Sequence, residues 1–268
     1  DPIPSRGLGD VYKRQDMVVP YGSADPMHSW KAVHDGTEYG FGRLSNSLTL
    51  GCDCLGEIHY FNASGISFDG SVEVIENAIC LHEEDYGIQW KHNDGMGAPN
   101  EVRRSRRLVI SSISTIGNYD YGLFWYLYLD GTIEAEVKLT GIVGISAYNE
   151  EKHNPNQDLR ISKELVSPVH QHLFCMRLDW NLDGGNNQLF ESEIELMPDD
   201  DNNPYGMQFQ SVSTHLKTEH EAKRDISPAT SRVWKVVNPQ KKNGMGLPVA
   251  YKLPVSYTHL TLPTTLRG

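Results

Sequence analysis

Residues 121–140 read YGLFWYLYLDGTIEAEVKLT, and this stretch decides the fold class. Its first half is a dense run of aromatic and aliphatic side chains. Its second half alternates apolar with polar side chains, the apolar positions being Ile133, Ala135, Val137 and Leu139. A period of two predicts a half-buried strand. Asp130-Gly131 separates the two halves, and Asp-Gly between two strand patterns is a strong hairpin signal, so the stretch predicts an antiparallel β-hairpin.

The rest of the chain also favours strands. Strand patterns recur at residues 108–114, 171–180 and 189–197, and the turn cluster DDDNNP at 199–204 separates two of the later segments. No long stretch has a convincing helical period, and no internal repeat or low-complexity linker interrupts the pattern. We therefore predict an all-β chain, an antiparallel β-sandwich, forming one domain or part of one.

Composition restricts the classes of partner. The 268 residues include 24 Lys and Arg against 35 Asp and Glu, a net charge of −11, which argues against a nucleic acid or an anionic membrane as the main partner. No apolar run approaches the roughly 18 residues of a membrane-spanning helix. Four cysteines without paired CxxC groups make a structural zinc site unexpected and leave one disulfide possible. The arginine cluster at 103–107 is predicted to be a solvated strand edge.

Both ends of the chain differ from its middle. Residues 7–15, GLGDVYKRQ, and residues 255–268, VSYTHLTLPTTLRG, resemble translated library-adapter sequence. We expect residues 1–15 and 255–268 to be non-native, and residues 16–254 to be a domain truncated at both ends. The alternative is a pair of genuine polar tails. His259 lies in the second of these segments and is not considered as a metal ligand.

Two motifs and one isolated carboxylate could carry chemistry. His170-Gln171-His172 places two imidazoles on one strand face, about 6 to 7 Å apart, which suits a shared metal, although a solvated strand face would give the same pattern. Thr115-Ile-Gly-Asn-Tyr-Asp-Tyr121 breaks a strand pattern just before a tyrosine, as a turn or bulge does. Asp35 lies among aromatic residues, where the pKa of a carboxylate rises and suits a general base, but an Asp-Gly turn also explains it.

Taken together these segments resemble the copper amine oxidase family. The resemblance runs over residues 16–254 through an ordered series of motifs. They are DMVVPYG (16–22), LGCDCLGEIHYF (50–61), AICLHEEDYG (78–87), TIGNYDY (115–121), YLDGTIE (128–134), HQH (170–172), SRVWKVVNP (231–239) and LPVAYKL (247–253). The resemblance implies the antiparallel β-sandwich of the copper amine oxidase catalytic domain.

The resemblance also implies roles for four residues near the TIGNYDY motif. Tyr119 is expected to be the precursor of the covalent cofactor topaquinone, the electrophile with which a primary amine forms a Schiff base. Asp35 is expected to be the base that accepts the substrate proton. Tyr21 and Asn118 are expected to orient the cofactor.

The expected metal ligands come from three places. His170 and His172 match two of three copper-ligating histidines, and the third is expected beyond Leu253. Asp179, the carbonyl of Trp180 and Asn181 match part of a calcium-type site, with Asn181 standing where an aspartate is common.

Cys54 and Cys80 match a disulfide of the family, whereas the open alternative is four reduced thiols.

The activity implied is the conversion of a primary amine, water and dioxygen to aldehyde, ammonia and hydrogen peroxide. A homodimer is expected for the full-length protein of which this chain is a fragment. The fragment itself is expected to be inactive, because the third copper ligand is missing. Two alternatives are a cupin-like metalloenzyme, which leaves TIGNYDY and LGCDCLGEI unexplained, and a degenerate amine oxidase fold with a binding or assembly role.

Overall fold

The computed structural model describes residues 15–23, 41–67, 69–95, 97 and 100–255. Within these residues the regular structure consists of fourteen β-strands and two single-turn 3-10 helices, Phe41–Leu44 and Pro228–Thr230. Every strand pair described is antiparallel. The predicted all-β class is therefore confirmed. No helix in this part of the chain is long and apolar enough to cross a membrane.

The described chain divides into two compact units, which meet in sequence between Cys175 and Met176. The strands that begin in the first unit are β1 (Gln15–Val18), β2 (Ile58–Ile66), β3 (Val72–His92), β4 (Glu101–Ile116), β5 (Tyr119–Tyr128), β6 (Ile133–Gly141), β7 (Ser146–Ala147), β8 (Asp158–Arg160), β9 (Leu165–Pro168) and β10 (Leu173–Met176). They form a five-stranded sheet in the order β2-β3-β4-β5-β6, a three-stranded sheet β7-β9-β8 and the pair β1-β10.

Two short turns organise the five-stranded sheet. Gly117 and Asn118 join β4 to β5, since Ile116 pairs directly with Tyr119. Gly117 has a φ of 62°, and a positive φ at only the first turn position is typical of a type II′ turn. At the far end of β5, the amide of Thr132 donates to the Asp130 carboxylate at 2.9 Å, and Gly131 has a φ of 85°. The hairpin predicted at Asp130-Gly131 is confirmed.

The expectation that β6 is half-buried is wrong for the described residues. Its apolar positions share a face, as predicted, but Ile133 is 37% exposed and Leu139 47% exposed. The reason is position, because β6 is the edge strand of its sheet. A period of two fixes the side on which a residue points, whereas burial also requires a neighbouring layer.

The predicted solvated strand edge at residues 103–107 is confirmed for its first part, because residues 103–106 extend beyond β5 and pair with β3 alone. The side chains of Arg103, Arg104 and Arg106 are 67%, 56% and 48% exposed. Arg107 is the exception, since it also pairs with Tyr128, and from there the sheet continues on both sides of β4. Its arginines pair with acids on β3: Arg104 with Asp85, Arg106 with Glu83, and Arg107 with Glu84. Arg107 is mostly covered, and its guanidinium lies 3.7 Å from the centre of the Tyr126 ring.

A buried apolar cluster packs at the start of β5, where it includes Tyr121 and contacts Tyr119. Met17, Val19, Ile116 and Tyr121 form its core, and Phe41 and Phe174 pack against it. The segment around Tyr21 is tied to the segment before β10, because the amide of Gly22 donates to the Val169 carbonyl at 2.7 Å. The strand predicted at 171–180 is shorter than expected, since β10 begins only at Leu173.

The second unit contains one four-stranded sheet. Its strands are β11 (Gln188–Leu196), β12 (Phe209–Leu216), β13 (Val233–Lys242) and β14 (Pro248–Leu253), in the order β12-β11-β13-β14. The strand predicted at 189–197 is confirmed as β11. The turn predicted at 199–204 is also confirmed, where the buried side chain of Asn203 accepts the amides of Met207 and Gln208, each at 3.1 Å.

Candidate active site

Tyr119 lies at the first position of β5, directly after the Gly117-Asn118 turn, and its ring is adjacent to two imidazoles. The ring centres are 5.4 Å apart for Tyr119 and His170 and 5.2 Å apart for Tyr119 and His172. The two imidazoles are themselves 5.1 Å apart. The structure thus brings together three residues that the sequence singled out.

Tyr21 also contacts this group, although it precedes Tyr119 by 98 residues in the sequence. Its ring stacks on that of His170 at 4.9 Å, with 12° between the planes. Its hydroxyl donates to the hydroxyl of Tyr119 at 3.4 Å. Burial, followed by the hydrogen bond to Tyr119, raises the pKa of Tyr21, so this phenol keeps its proton at neutral pH and acts as a donor.

One ring nitrogen of His170 is hydrogen-bonded, and the other has no hydrogen-bond partner. The ring is buried, and its Nδ1 lies 2.9 Å from the carbonyl oxygen of Pro168. A carbonyl can only accept, so Nδ1 carries the proton and the lone pair of the neutral ring is on Nε2. That Nε2 is buried and has no hydrogen-bond partner. A buried, unpartnered nitrogen lone pair is costly unless something binds it, and a metal ion is one group that does.

His172 is held by a residue that the sequence did not single out. Its Nδ1 lies 3.1 Å from the hydroxyl of Tyr121, a side chain with 0% exposure. Burial raises the pKa of Tyr121. When Nδ1–H donates to this hydroxyl, Nε2 is the nitrogen available to a metal, as in many histidine ligands whose other nitrogen is oriented by a neighbour. Tyr121 belongs to the TIGNYDY motif, which was the available signal.

The two histidines fit a metal as a partial ligand set. In the ranges described, no group of three or more His, Cys, Asp or Glu side chains could hold a metal ion. The first unit therefore offers two imidazole donors beside a phenol. Imidazole suits copper as well as zinc, iron and nickel.

Asn118 and Asp120 flank Tyr119 and are fixed by different contacts. The carbonyl of Asn118 accepts the amide of Ile142 at 2.7 Å. The Asp120 carboxylate accepts from the hydroxyl of Thr115 at 2.5 Å, and the side-chain amide of Asn46 donates to the same hydroxyl at 3.1 Å. This network stabilises the backbone on both sides of the tyrosine.

Two of the remaining predicted sites are Asp35 and the calcium-type site. Asp35 is outside the described residues. Asp179, Trp180 and Asn181 belong to the second unit, where the side chain of Asn181 accepts the amide of Gly184 at 3.1 Å and Trp180 stacks on Tyr251 at 6.2 Å. The calcium-type site stays a prediction.

Cys54 and Cys80 are buried in one cluster with Leu48. Burial, followed by the contact with Cys54, raises the pKa of Cys80 to about 12. The predicted disulfide is not formed in this structure, in which both residues are thiols, as are the exposed Cys52 and Cys175. Their neighbouring positions leave the pairing a prediction.

Comparisons with known proteins agree on one family. The family model of the copper amine oxidase enzyme domain matches residues 11–266. The histamine oxidase of Arthrobacter globiformis is 48% identical over 242 residues, which cover 89% of this chain and 34% of that protein. The copper methylamine oxidase of Arthrobacter sp. strain P1 is 45% identical over 238 residues, covering 89% of this chain and 36% of that protein.

Solved structures give the same result. A copper-containing benzylamine oxidase from Hansenula polymorpha has a TM-score of 0.81 and 31% identity, over 96% of this chain and 41% of that one. An Aspergillus nidulans amine oxidase has a TM-score of 0.80 and 26% identity, over 92% of this chain and 33% of that one. The chain spans about a third of the length of the curated relatives it matches, 34% and 36% for the two Arthrobacter proteins.

Proposed function

Because this chain belongs to the copper amine oxidase family, and has its enzyme-domain β-sandwich fold, we propose that it supplies much of the active site of a primary amine oxidase. The reaction takes a primary amine, water and dioxygen to an aldehyde, ammonia and hydrogen peroxide. The buried, unpartnered Nε2 of His170 beside the Tyr119 ring is the observation that carries this proposal.

The metal proposed is copper, and His170 and His172 are its proposed ligands from this segment. The organic cofactor proposed is topaquinone, formed from Tyr119. When bound, copper and dioxygen supply the oxidising chemistry that converts the phenol to a quinone, whose carbonyl is the electrophile for the amine. The rings around Tyr119 support this role, because they hold its ring beside the two proposed metal ligands.

The chain's own residues then orient groups and move a proton. Tyr21 donates to the oxygen of Tyr119 and packs on His170, so one side chain restrains both the cofactor precursor and a metal ligand. Asn118 occupies the turn before Tyr119 and restricts its backbone. Asp35 is proposed as the base that accepts a proton from the carbon bonded to the substrate nitrogen, a step that needs its carboxylate ionised.

The complete enzyme is proposed to be a longer protein, here called the parent, which contains residues 16–254. The parent would supply the third copper ligand, and a homodimer, a calcium-type site at Asp179, Trp180 and Asn181, and a Cys54–Cys80 disulfide are proposed from family membership. The isolated 268-residue chain is proposed to be inactive, because copper affinity depends on completing the ligand set.

The test is aerobic copper loading of the apo parent, followed by quinone absorbance and mass spectrometry of the peptide that carries Tyr119. We expect quinone in the parent, none in Tyr119→Phe because phenylalanine lacks the oxygen, and unchanged quinone in Tyr148→Phe, whose ring lies against His153 instead.

Unchanged quinone absorbance in Tyr119→Phe would refute the assignment of Tyr119 as the precursor of the cofactor. No quinone in the copper-loaded parent would favour the degenerate binding fold. The isolated chain, run alongside, is expected to keep Tyr119 unmodified, and efficient conversion there would show that the site is complete without a downstream ligand.

A further inference from the structure

The backbone of residues 141–144 approaches Tyr119 from the end of β6. The amide of Ile142 donates to the carbonyl of Asn118 at 2.7 Å. Two residues later, the amide of Gly144 donates to the hydroxyl of Tyr119 at 3.3 Å. The same short segment therefore holds the backbone before the tyrosine and the far end of its side chain.

Gly141 makes this approach possible. It pairs with Tyr119 across the β5–β6 ladder and has a φ of 104°, a conformation that favours glycine. A Cβ at this position would lie 2.9 Å from the Tyr119 Cα and the Asp120 nitrogen, and closer still to the Asn118 carbonyl oxygen. Those neighbours are backbone atoms, which cannot rotate away as the end of a side chain can.

Ser167 fixes the other end of the segment. Its buried hydroxyl donates to the carbonyl of Gly144 at 3.0 Å. This bond orients the Gly144 peptide from strand β9, which itself continues to Pro168, the acceptor for His170. The tyrosine and the first histidine thus take their positions from adjoining backbone.

We propose that residues 141–144 form a backbone clamp, which positions the Tyr119 side chain for its conversion to the quinone and for the reaction of that quinone with amine. Gly141 and Ser167 are positioning residues in this proposal, since they act through the backbone at Tyr119 and Gly144. The proposal rests on the proposed function. Its physical basis is that small displacements of a reacting group, on the order of 1 Å, cost about 100-fold in rate.

The chain offers a matched control for Gly141. Gly131 lies in the turn at the opposite end of the same hairpin, has a φ of 85°, and has nothing within 4 Å of an added Cβ. Gly131→Ala therefore introduces an unfavourable φ alone, whereas Gly141→Ala adds a collision with the backbone of residues 118–120.

The experiment uses apo parent protein, wild type and both variants, loaded with copper under air. The readouts are copper content, unfolding temperature, the rate and wavelength of quinone absorbance, and the rate of reaction with phenylhydrazine. We expect Gly131→Ala to mature within twofold of the wild-type rate. We expect Gly141→Ala to mature at least about 10-fold more slowly, or to give a quinone at least about 10-fold less reactive, with copper still bound.

A second pair of variants decides the matter if Gly141→Ala does not fold. Ser167→Ala removes one hydrogen bond and leaves the backbone unobstructed, and its control is Ser192→Ala, an equally buried serine whose hydroxyl lies 2.6 Å from that of Ser213. We expect quinone formation about fivefold slower in Ser167→Ala and unchanged in Ser192→Ala, since one hydrogen bond is worth about that factor.

Equal maturation and equal phenylhydrazine rates in each variant and its control would overturn the clamp while leaving the amine oxidase proposal intact. Absence of quinone in the wild-type parent would instead overturn the proposed function, and the clamp with it.

Discussion

Replacing Tyr121 with phenylalanine tests whether His172 is a metal ligand oriented by its neighbour. Tyr121 has 0% exposure and its hydroxyl lies 3.1 Å from His172 Nδ1. Tyr121→Phe keeps the ring in the core and removes only this oxygen. The imidazole then loses the hydroxyl that fixes its tautomer and holds its plane.

Two magnitudes follow from this geometry. Loss of a partner that orients a ligating histidine typically weakens metal binding about 10- to 100-fold, or about 1.4 to 2.7 kcal/mol. Loss of this hydrogen bond, in which the imidazole is only partly buried, also lowers the free energy of unfolding of the apo protein by about 0.5 to 1.5 kcal/mol. Copper affinity and apo stability should therefore both fall.

The assay is copper competition against a chelator of known affinity, with apo unfolding in urea measured in parallel. Tyr126→Phe is the control, because Tyr126 is also buried on β5 but donates to the Glu136 carboxylate at 2.6 Å and contacts no histidine of the site. Glu136 remains partly exposed and can be hydrated, so we expect copper affinity within twofold of the wild type.

Wild-type copper affinity in Tyr121→Phe would refute the orientation of His172 by Tyr121. Equal weakening in Tyr126→Phe would show that any tyrosine on this strand has the same effect, and would refute the specific contact.

Two further predictions concern residues outside the imidazole pair. Asp35→Asn in the parent should lower turnover by about 10²- to 10⁴-fold while quinone still forms, because a positioned base contributes that factor; stopped-flow reduction by amine measures it, and wild-type turnover would place the base elsewhere. Peptide mapping of the unreduced parent by mass spectrometry should find Cys54 bonded to Cys80, and Cys52 and Cys175 as alkylatable thiols; alkylation of Cys54 and Cys80 without reductant would contradict the disulfide.

The parts of the structure that follow from local sequence were predictable. The Asp130-Gly131 hairpin depends on a few adjacent residues. The i, i+2 spacing of His170 and His172 was enough to predict adjacent rings, although β10 begins later than expected.

The parts that depend on distant packing were not predictable. The apolar face of β6 could be read from its period of two, but not its exposure. The arginines at 103–107 could be assigned to an exposed strand, but their acidic partners on β3 could not be identified from composition. The carbonyl of Pro168 and the amide of Gly144 contribute directly to the site, yet backbone groups are present at every position and leave no sequence signal.

The Gly117-Asn118 turn has a consequence for the order in which the site is assembled. A hairpin closed by so short a connection forms within about 1 to 10 μs, because little chain entropy is lost in bringing its ends together. Tyr121 and His172, in contrast, are 51 residues apart. We therefore expect Tyr119 and Tyr121 to be placed on their strand before the imidazoles reach them. The proposed oxidation of Tyr119 requires both and must wait for the long-range contacts, so quinone absorbance would report that these contacts have formed.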